Sequence, residues 1–213
     1  MLRRISLSAI AVLAATPALA DTVLVTSGAN DGAGSLRAAL ATASASEAGS
    51  IIVIDTPGDV SISEALVYEG TAPLSIIGAD HKVRTDQNVT LLAVPNGADL
   101  DVTGVSFSGP GGFDISERDA GTAGKGVFIG VPADTSGTVS LRLDGVVVDG
   151  VAGHGIHVSD CDLADDCGGG GGGAGGGSPA SISVDLRDVT VSVSPLTVRD
   201  RLRSNVTSGA APH

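Results

Sequence analysis

The sequence repeats itself with a spacing of about forty residues, and this repeat constrains the fold more than any other feature. Four apolar positions in the stretch 100–119 recur 41 residues later in the stretch 141–162. They are Leu100, Val102, Val105 and Phe107, followed by Leu141, Leu143, Val146 and Val148. A third copy comes another 43 residues on, with Val189 and Val191 at the corresponding positions. Short units of this period stack and share one core, so the repeat predicts a solenoid.

The second half of each unit supplies a further short strand. The segment GFDIS at 112–116 lies 43 residues before the segment GIHVS at 155–159. Their alternation predicts equivalent strands whose second and fourth residues face the core, and residues 196–198 match them as a third occurrence. Propeller blades have a similar period, but the chain contains no Trp and lacks their Trp-Asp signature. A β-solenoid is therefore the better interpretation.

One helix is predicted, near the start of the chain. Small or apolar residues recur at helical spacing after Ser35, which is a suitable N-cap. They are Leu36, Ala39, Leu40 and Ala43. The preceding segment DTVLVTS is a strand with Val23 and Val25 on one face, and after Gly49 the chain alternates between short strands and turn residues. About a dozen short strands and one helix predict an all-β fold with a helix at one end.

The start of the chain also resembles a known family. The segment VTSGANDGAGSLRAALATA followed by GSIIVID is similar to the beginning of right-handed parallel β-helix proteins of the pectin-lyase-like superfamily, as are the Gly-Val-x-Val-x-Gly and Gly-Ile-x-Val elements. The resemblance covers most of residues 21–193. It implies an exported bacterial right-handed parallel β-helix whose first coil is capped by the helix. These motifs are structural and occur in proteins of unrelated activity, so they imply no reaction.

The first twenty residues have the pattern of a secretory signal peptide. Arg3 and Arg4 form a charged start, residues 5–15 form a short apolar run, and Ala18-Leu19-Ala20 supplies small residues before a cleavage point. The apolar run is too short to span a bilayer, and no later segment is longer. We expect a secreted or periplasmic protein cleaved after Ala20, without a membrane span.

The remaining chain divides into three parts. Residues 21–49 hold the first strand and the capping helix, residues 50–198 the coils with a glycine-rich insertion at 168–177, and residues 199–213 an irregular basic tail. No second cap is recognisable at the other end. The end of the sequence is interpreted either as a natural tail or as a sign that the chain is a truncated form of a longer β-helix. An uncapped last coil is expected to fray or to form oligomers.

Charge and aromatic content restrict the partners. The chain has 12 basic and 24 acidic residues and a formal net charge of −12, which disfavours nucleic acid and polyanionic substrates. Its four aromatic residues apart from histidine are Tyr68, Phe107, Phe113 and Phe128. Sugar rings usually stack on such side chains, so their scarcity weakens the hypothesis of a carbohydrate-active enzyme. A non-enzymatic scaffold, binding or adhesion protein for a polysaccharide or cell-surface component is favoured, with a polysaccharide lyase or glycoside hydrolase as the alternative.

The stretch HGIHVSDCDLADDC at 154–167 holds the candidate site residues. In an exported protein, Cys161 and Cys167 are expected to form a local disulfide. The carboxylates are candidate Ca²⁺ ligands, with a solvated acidic turn as the alternative, because EF-hand and glycine-rich calcium repeats are absent. They are Asp160, Asp162, Asp165 and Asp166. No other cofactor is predicted.

Two further hypotheses use the histidines of this stretch. Zinc bound by His154, His157 and the two cysteines has suitable residue types but no recognised spacing. Strand alternation also separates the two histidines, unless Gly155 redirects the first. For an enzyme, the candidate catalytic residues are Asp160 and Asp162 with His157 as their neighbour. Their convergence with Arg118 or Lys125 in a groove would favour chemistry.

Overall fold

The fold consists of short parallel strands and one helix. The computed structural model describes residues 20–114, 117, 123–160 and 178–192. The helix is α1 (Leu36–Ser44). The strands are β1 (Asp21–Val25), β2 (Ser50–Ile54), β3 (Val60–Ile62), β4 (Leu74–Thr85), β5 (Leu92–Val94), β6 (Leu100–Ser108), β7 (Val127–Val131), β8 (Thr138–Asp144), β9 (Val147–Asp149), β10 (Ile156–Asp160), β11 (Ser181–Arg187) and β12 (Thr190–Ser192).

The strands form two parallel sheets. The large sheet follows the order β1-β2-β4-β6-β8-β11, with β3 beside β4, β9 beside β6, and β12 beside β9. The small sheet has the order β10-β7-β5. Every pairing between these strands is parallel. The structure is therefore mostly β, with parallel sheets and one helix, as the sequence predicts.

Backbone pairing confirms the repeat of 41 residues. Leu100 pairs with Leu141, and Phe107 pairs with Val148. The third copy is also in register, since Val191 pairs with Val148. Side chains at these inward positions stack into the hydrophobic core, where Val148 is completely buried. Equivalent positions of successive repeats thus lie one strand spacing apart, about 4.8 Å.

The predicted strand GFDIS is wrong in its described part. Residues 112–114 lie outside any strand, and β10 pairs instead with β7, with Ile156 beside Val127. The physical reason is a turn, because Gly111 and Gly112 have φ values of 69° and 75°, which an extended strand does not allow. The equivalent of GIHVS is therefore the segment GVFIG, and residues 112–114 belong to the connection that precedes it.

The helix is confirmed in detail. The Oγ atom of Ser35 accepts a hydrogen bond from the Ala38 amide at 3.2 Å, and the predicted apolar face is buried against β1 and β2. Arg37 fastens the helix to the turn after β3, because its guanidinium donates to the carbonyl oxygens of Ala65 at 2.7 Å and Glu64 at 2.9 Å. Within the described ranges, no helix has the length and apolar character needed to cross a bilayer.

Candidate functional site

His157 lies on the small sheet, beside an aromatic ring. It pairs in register with Phe128, and the two rings meet edge to face, with centroids 5.6 Å apart. The Nζ atom of Lys125 lies over the same Phe128 ring, 5.1 Å from its centroid, in a cation–π arrangement. The structure therefore brings His157 and Lys125, two of the groups expected to converge in a catalytic groove, onto one aromatic side chain.

The acidic candidates can be placed only in part. Asp160 is the last residue of β10, where its backbone pairs with Val131. The other residues named for calcium, catalysis or the disulfide lie outside the described residues: Cys161, Asp162, Asp165, Asp166 and Cys167. Arg118 also lies outside them. The disulfide, calcium and acid–base hypotheses therefore stay predictions.

The two histidines of this region lie together. His154 precedes the first residue of β10, so strand alternation does not separate its ring from that of His157. The ring centroids are 4.6 Å apart and the planes are inclined by 35°. Two imidazoles supply half of the four ligands that a structural zinc ion takes. No group of three or more His, Cys, Asp or Glu side chains suited to a metal occurs in the part of the chain that the structure describes.

Gly126 allows the start of β7 to lie close to the backbone of His154 and Gly155. The Gly126 amide donates to the carbonyl oxygen of His154 at 3.0 Å, and the Val127 amide donates to that of Gly155 at 2.9 Å. A side chain at position 126 would collide with the Gly155 carbonyl oxygen and with the side chain of Val148. Gly126 therefore lets β7 begin directly beside the histidine pair.

A third histidine, which the sequence analysis missed, sits in a distinct environment. In His81, Nδ1 lies 2.5 Å from the carbonyl oxygen of Gly78, and Nε2 lies 2.8 Å from that of Thr56. Carbonyl oxygens only accept, so both contacts are hydrogen bonds only in the imidazolium form, in which both ring nitrogens donate. The hydrogen bonds to Thr56 and Gly78 raise the pKa of His81, and the nearby charges of Asp55 and Asp59 raise it further, while desolvation opposes them.

His81 closes an irregularity in β4. The pairing of β4 with β6 shifts register between Ile77 and His81, which marks a β-bulge. Within it, Ala79 and Asp80 have φ values of 45° and 69°, a left-handed conformation that costs free energy for residues other than glycine. The contact of His81 with Thr56 holds this strained segment against the turn after β2, while the contact with Gly78 lies within the segment. No local sequence signal marks the bulge, because Thr56 lies 25 residues away.

The outer face of the large sheet carries a column of polar side chains. Ser75, Asp101, Arg142 and Asp185 occupy one register position on the consecutive strands β4, β6, β8 and β11. The Nε atom of Arg142 lies 4.0 Å from Oδ2 of Asp101. We call these four residues the polar column. They lie in a shallow groove of about 370 Å³, whose wall also includes Asp99, Ser140 and Ser183.

The repeat itself contains the signal for the polar column. Asp101 and Arg142 are 41 residues apart, which is the spacing of the apolar ladder. Because side chains alternate along a strand, the residues between the inward positions of one repeat must stack outward on those of the next. The apolar positions of the repeat do not by themselves reveal this column, because its residues occupy the outward positions.

A second polar cavity, of about 380 Å³, lies beside β3 and the end of β4. Two of its polar side chains, Asn30 and Arg84, already have partners. Asn30 Oδ1 accepts from Arg37 Nη2 at 3.1 Å and from the Ser63 amide at 2.9 Å. Arg84 pairs with Asp59 at 3.4 Å. These contacts fasten the helix and the bulge region, and they favour a structural role for the cavity.

Comparison with known proteins adds no relative to this description. No protein-family model, no curated protein and no solved structure matches the chain.

Proposed function

We propose that the chain is an exported right-handed parallel β-helix that binds a neutral polysaccharide or a cell-surface glycan on its outer face, without chemical turnover. The observation that carries the proposal is the polar column of Ser75, Asp101, Arg142 and Asp185 in its open groove. Hydroxyl, carboxylate and guanidinium groups follow one another there at the strand spacing, which suits a ligand with regularly spaced hydroxyl groups.

The strand order supports the β-helix. The large sheet takes β1, β2, β4, β6, β8 and β11 in chain order, and the small sheet takes β5, β7 and β10 in the same ascending order. Crossovers that join parallel strands of one sheet are right-handed in about 98% of cases, which favours a right-handed coil. The helix α1 packs on β1 and β2, the first strands of the large sheet, where a cap for the first coil is expected.

The sequence supports export. The charged start, short apolar run and small residues up to Ala20 are typical of a cleaved signal peptide. The closely spaced Cys161 and Cys167 suit an oxidising compartment. An exported protein with a polar groove and an acidic surface is well placed to contact neutral glycans.

The described carboxylates favour binding over catalysis. Asp99 accepts from the Ser140 amide at 2.7 Å, and Asp149 accepts from the Ser108 hydroxyl at 2.5 Å. Asp185 pairs with Arg187 at 2.9 Å. Carboxylates held in this way are positioned to accept hydrogen bonds and to fix the surface. A general acid, by contrast, needs direct access to the bond that breaks.

The alternative is a polysaccharide lyase or glycoside hydrolase that works at the end of β10. The contact of Lys125 and His157 with Phe128 favours this candidate, because it gathers a cation, an imidazole and an aromatic ring on one face. Asp160 and Asp162 would be its acid–base residues.

A panel of neutral and acidic polysaccharides separates the two functions. Affinity electrophoresis measures retention, while assays for new reducing ends and for unsaturated products measure turnover, each with and without Ca²⁺. We expect retention by neutral polysaccharides, weaker retention by polyuronates because of the net charge of −12, and no products. Product formation that His157→Asn abolishes would establish the alternative and overturn the proposal.

A further inference from the structure

The inner face of β11 exposes residues that belong to the core series. Ile182, Val184 and Leu186 are 44%, 48% and 48% exposed. Their register partners on β8 are Val139, Leu141 and Leu143, none of which exceeds 2% exposure. The side chains of β8 are buried because β11 lies over them, whereas those of β11 are half-exposed because no described strand lies over β11. The same holds for Val191 on β12, which is 49% exposed beside the fully buried Val148.

The backbone of β11 is open on the same side. One edge of the strand pairs with β8 over residues 181–187, and no other described strand pairs with its second edge. We call this second edge, with its three apolar side chains, the β11 edge. An edge of this kind has free amide and carbonyl groups beside apolar surface. A partner that covers both must supply a strand with an apolar face of its own.

We propose that two copies of this chain associate through their β11 edges, in antiparallel orientation, about a two-fold axis at Val184. Val184 is the central residue of the seven-residue strand. Antiparallel pairing about it places Ile182 opposite Leu186 of the second copy, and Val184 opposite its own equivalent. The apolar residues of the two strands therefore meet each other, and every contact away from the axis occurs twice, as a two-fold interface requires. The interface extends the hydrophobic core of each copy into the other.

The charges on the β11 edge are compatible with this pairing. The chain carries a formal charge of −12, so two copies repel each other at long range. At the edge itself, Asp185 is paired with Arg187 at 2.9 Å. In the proposed register Asp185 lies opposite Ser183, and Arg187 lies opposite Ser181, so no like charges face each other directly. Added salt screens the long-range repulsion and strengthens the association.

Sedimentation velocity and light scattering on the full chain test the proposal over a range of protein and salt concentrations. We expect a dimer that dissociates on dilution and tightens with salt. Val184→Asp places two charges at the two-fold axis and should give a monomer. Leu24→Asp is the matched control, because Leu24 is 51% exposed on the outer side of β1, and this variant should remain dimeric.

A cysteine variant tests the register without destabilising the edge. Facing residues of an antiparallel pair have Cα atoms about 4.5–5.5 Å apart, which is within disulfide range. With Cys161 and Cys167 replaced by Ser, Val184→Cys should therefore form a cross-linked dimer on oxidation, and Leu24→Cys should not. A chain that stays monomeric at all concentrations overturns the proposal, and so does equal cross-linking of both variants. If the monomer becomes a dimer only when residues 193–213 are deleted, the edge is covered by that segment, which also overturns it.

Discussion

The Nε2 atom of His81 lies 2.8 Å from the carbonyl oxygen of Thr56, and this contact ties the bulge of β4 to the turn after β2. The second ring nitrogen is also held by a carbonyl oxygen, that of Gly78. The folded protein therefore prefers the charged imidazole, and the pKa of His81 lies above that of an unfolded chain, which is about 6.5.

This raised pKa predicts a pH-dependent stability. Protonated His81 stabilises the fold fully below about pH 6.5, and its contribution is lost as the pH rises through the folded-state pKa. Urea unfolding at several pH values should show that wild type exceeds His81→Asn in free energy of unfolding at low pH, and that the difference narrows in alkaline solution. His154→Asn is the control, because His154 is exposed. A difference that does not change with pH contradicts the imidazolium assignment.

Arg37 provides a second test of local structure. Its guanidinium reaches the carbonyl oxygens of Ala65 and Glu64 and both oxygens of Asn30. A lysine cannot reproduce this fork of donors, so Arg37→Lys should lower the free energy of unfolding by about 1.5–3 kcal/mol. Arg84→Lys changes an exposed ion pair with Asp59 and should cost less than about 1 kcal/mol. Equal losses of unfolding free energy in the two variants would show that the hydrogen bonds of Arg37 contribute no more than an exposed ion pair.

The stacked core predicts large effects at inward positions. Leu143 is completely buried between Val102 on β6 and Leu186 on β11. Leu143→Ala should cost about 2–5 kcal/mol, since it leaves a cavity in the ladder. The control Ile77→Ala, at a position 42% exposed, should cost about 1 kcal/mol or less. Chemical denaturation measures both, and a small loss for Leu143→Ala would contradict the stacking.

The cysteine pair has a separate prediction. If the chain is exported, as proposed, Cys161 and Cys167 should form an intramolecular disulfide. Non-reducing mass spectrometry with alkylation should then find a chain two hydrogen atoms lighter and no alkylated thiol. Reduction should cost on the order of 2 kcal/mol, because the enclosed loop is short. Two alkylated cysteines in protein prepared without reductant would contradict the disulfide.

The sequence predicted those parts of the fold that depend on neighbouring residues or on the repeat. Ser35 and the apolar face that follows it define α1 through neighbouring residues. The spacing of 41 residues predicted the pairing of Leu100 with Leu141, because equivalent positions of a stacked repeat must coincide. The segment GFDIS was aligned wrongly in its described part, because its alternation resembles a strand while Gly111 and Gly112 form a turn and residues 112–114 lie outside any strand.

The site was harder to predict for a physical reason. His81 depends on a carbonyl group 25 residues away and on a bulge whose residues, Ala79 and Asp80, do not favour that conformation. The histidine pair depends on where β10 begins, which alternation alone does not fix. Three members of the polar column, Asp101, Arg142 and Asp185, by contrast follow from the repeat once its outward positions are compared.

The retention of a neutral polysaccharide by variants of the polar column tests the central claim most directly. Arg142→Gln and Asp101→Asn remove groups that face the groove, and Arg84→Gln removes an exposed arginine of another cavity. Affinity electrophoresis on the polysaccharide that retains the wild type should show weaker retention for the first two variants, no change for Arg84→Gln, and intact polysaccharide throughout. Unchanged retention by Arg142→Gln and Asp101→Asn would contradict the claim that the outer column binds the ligand.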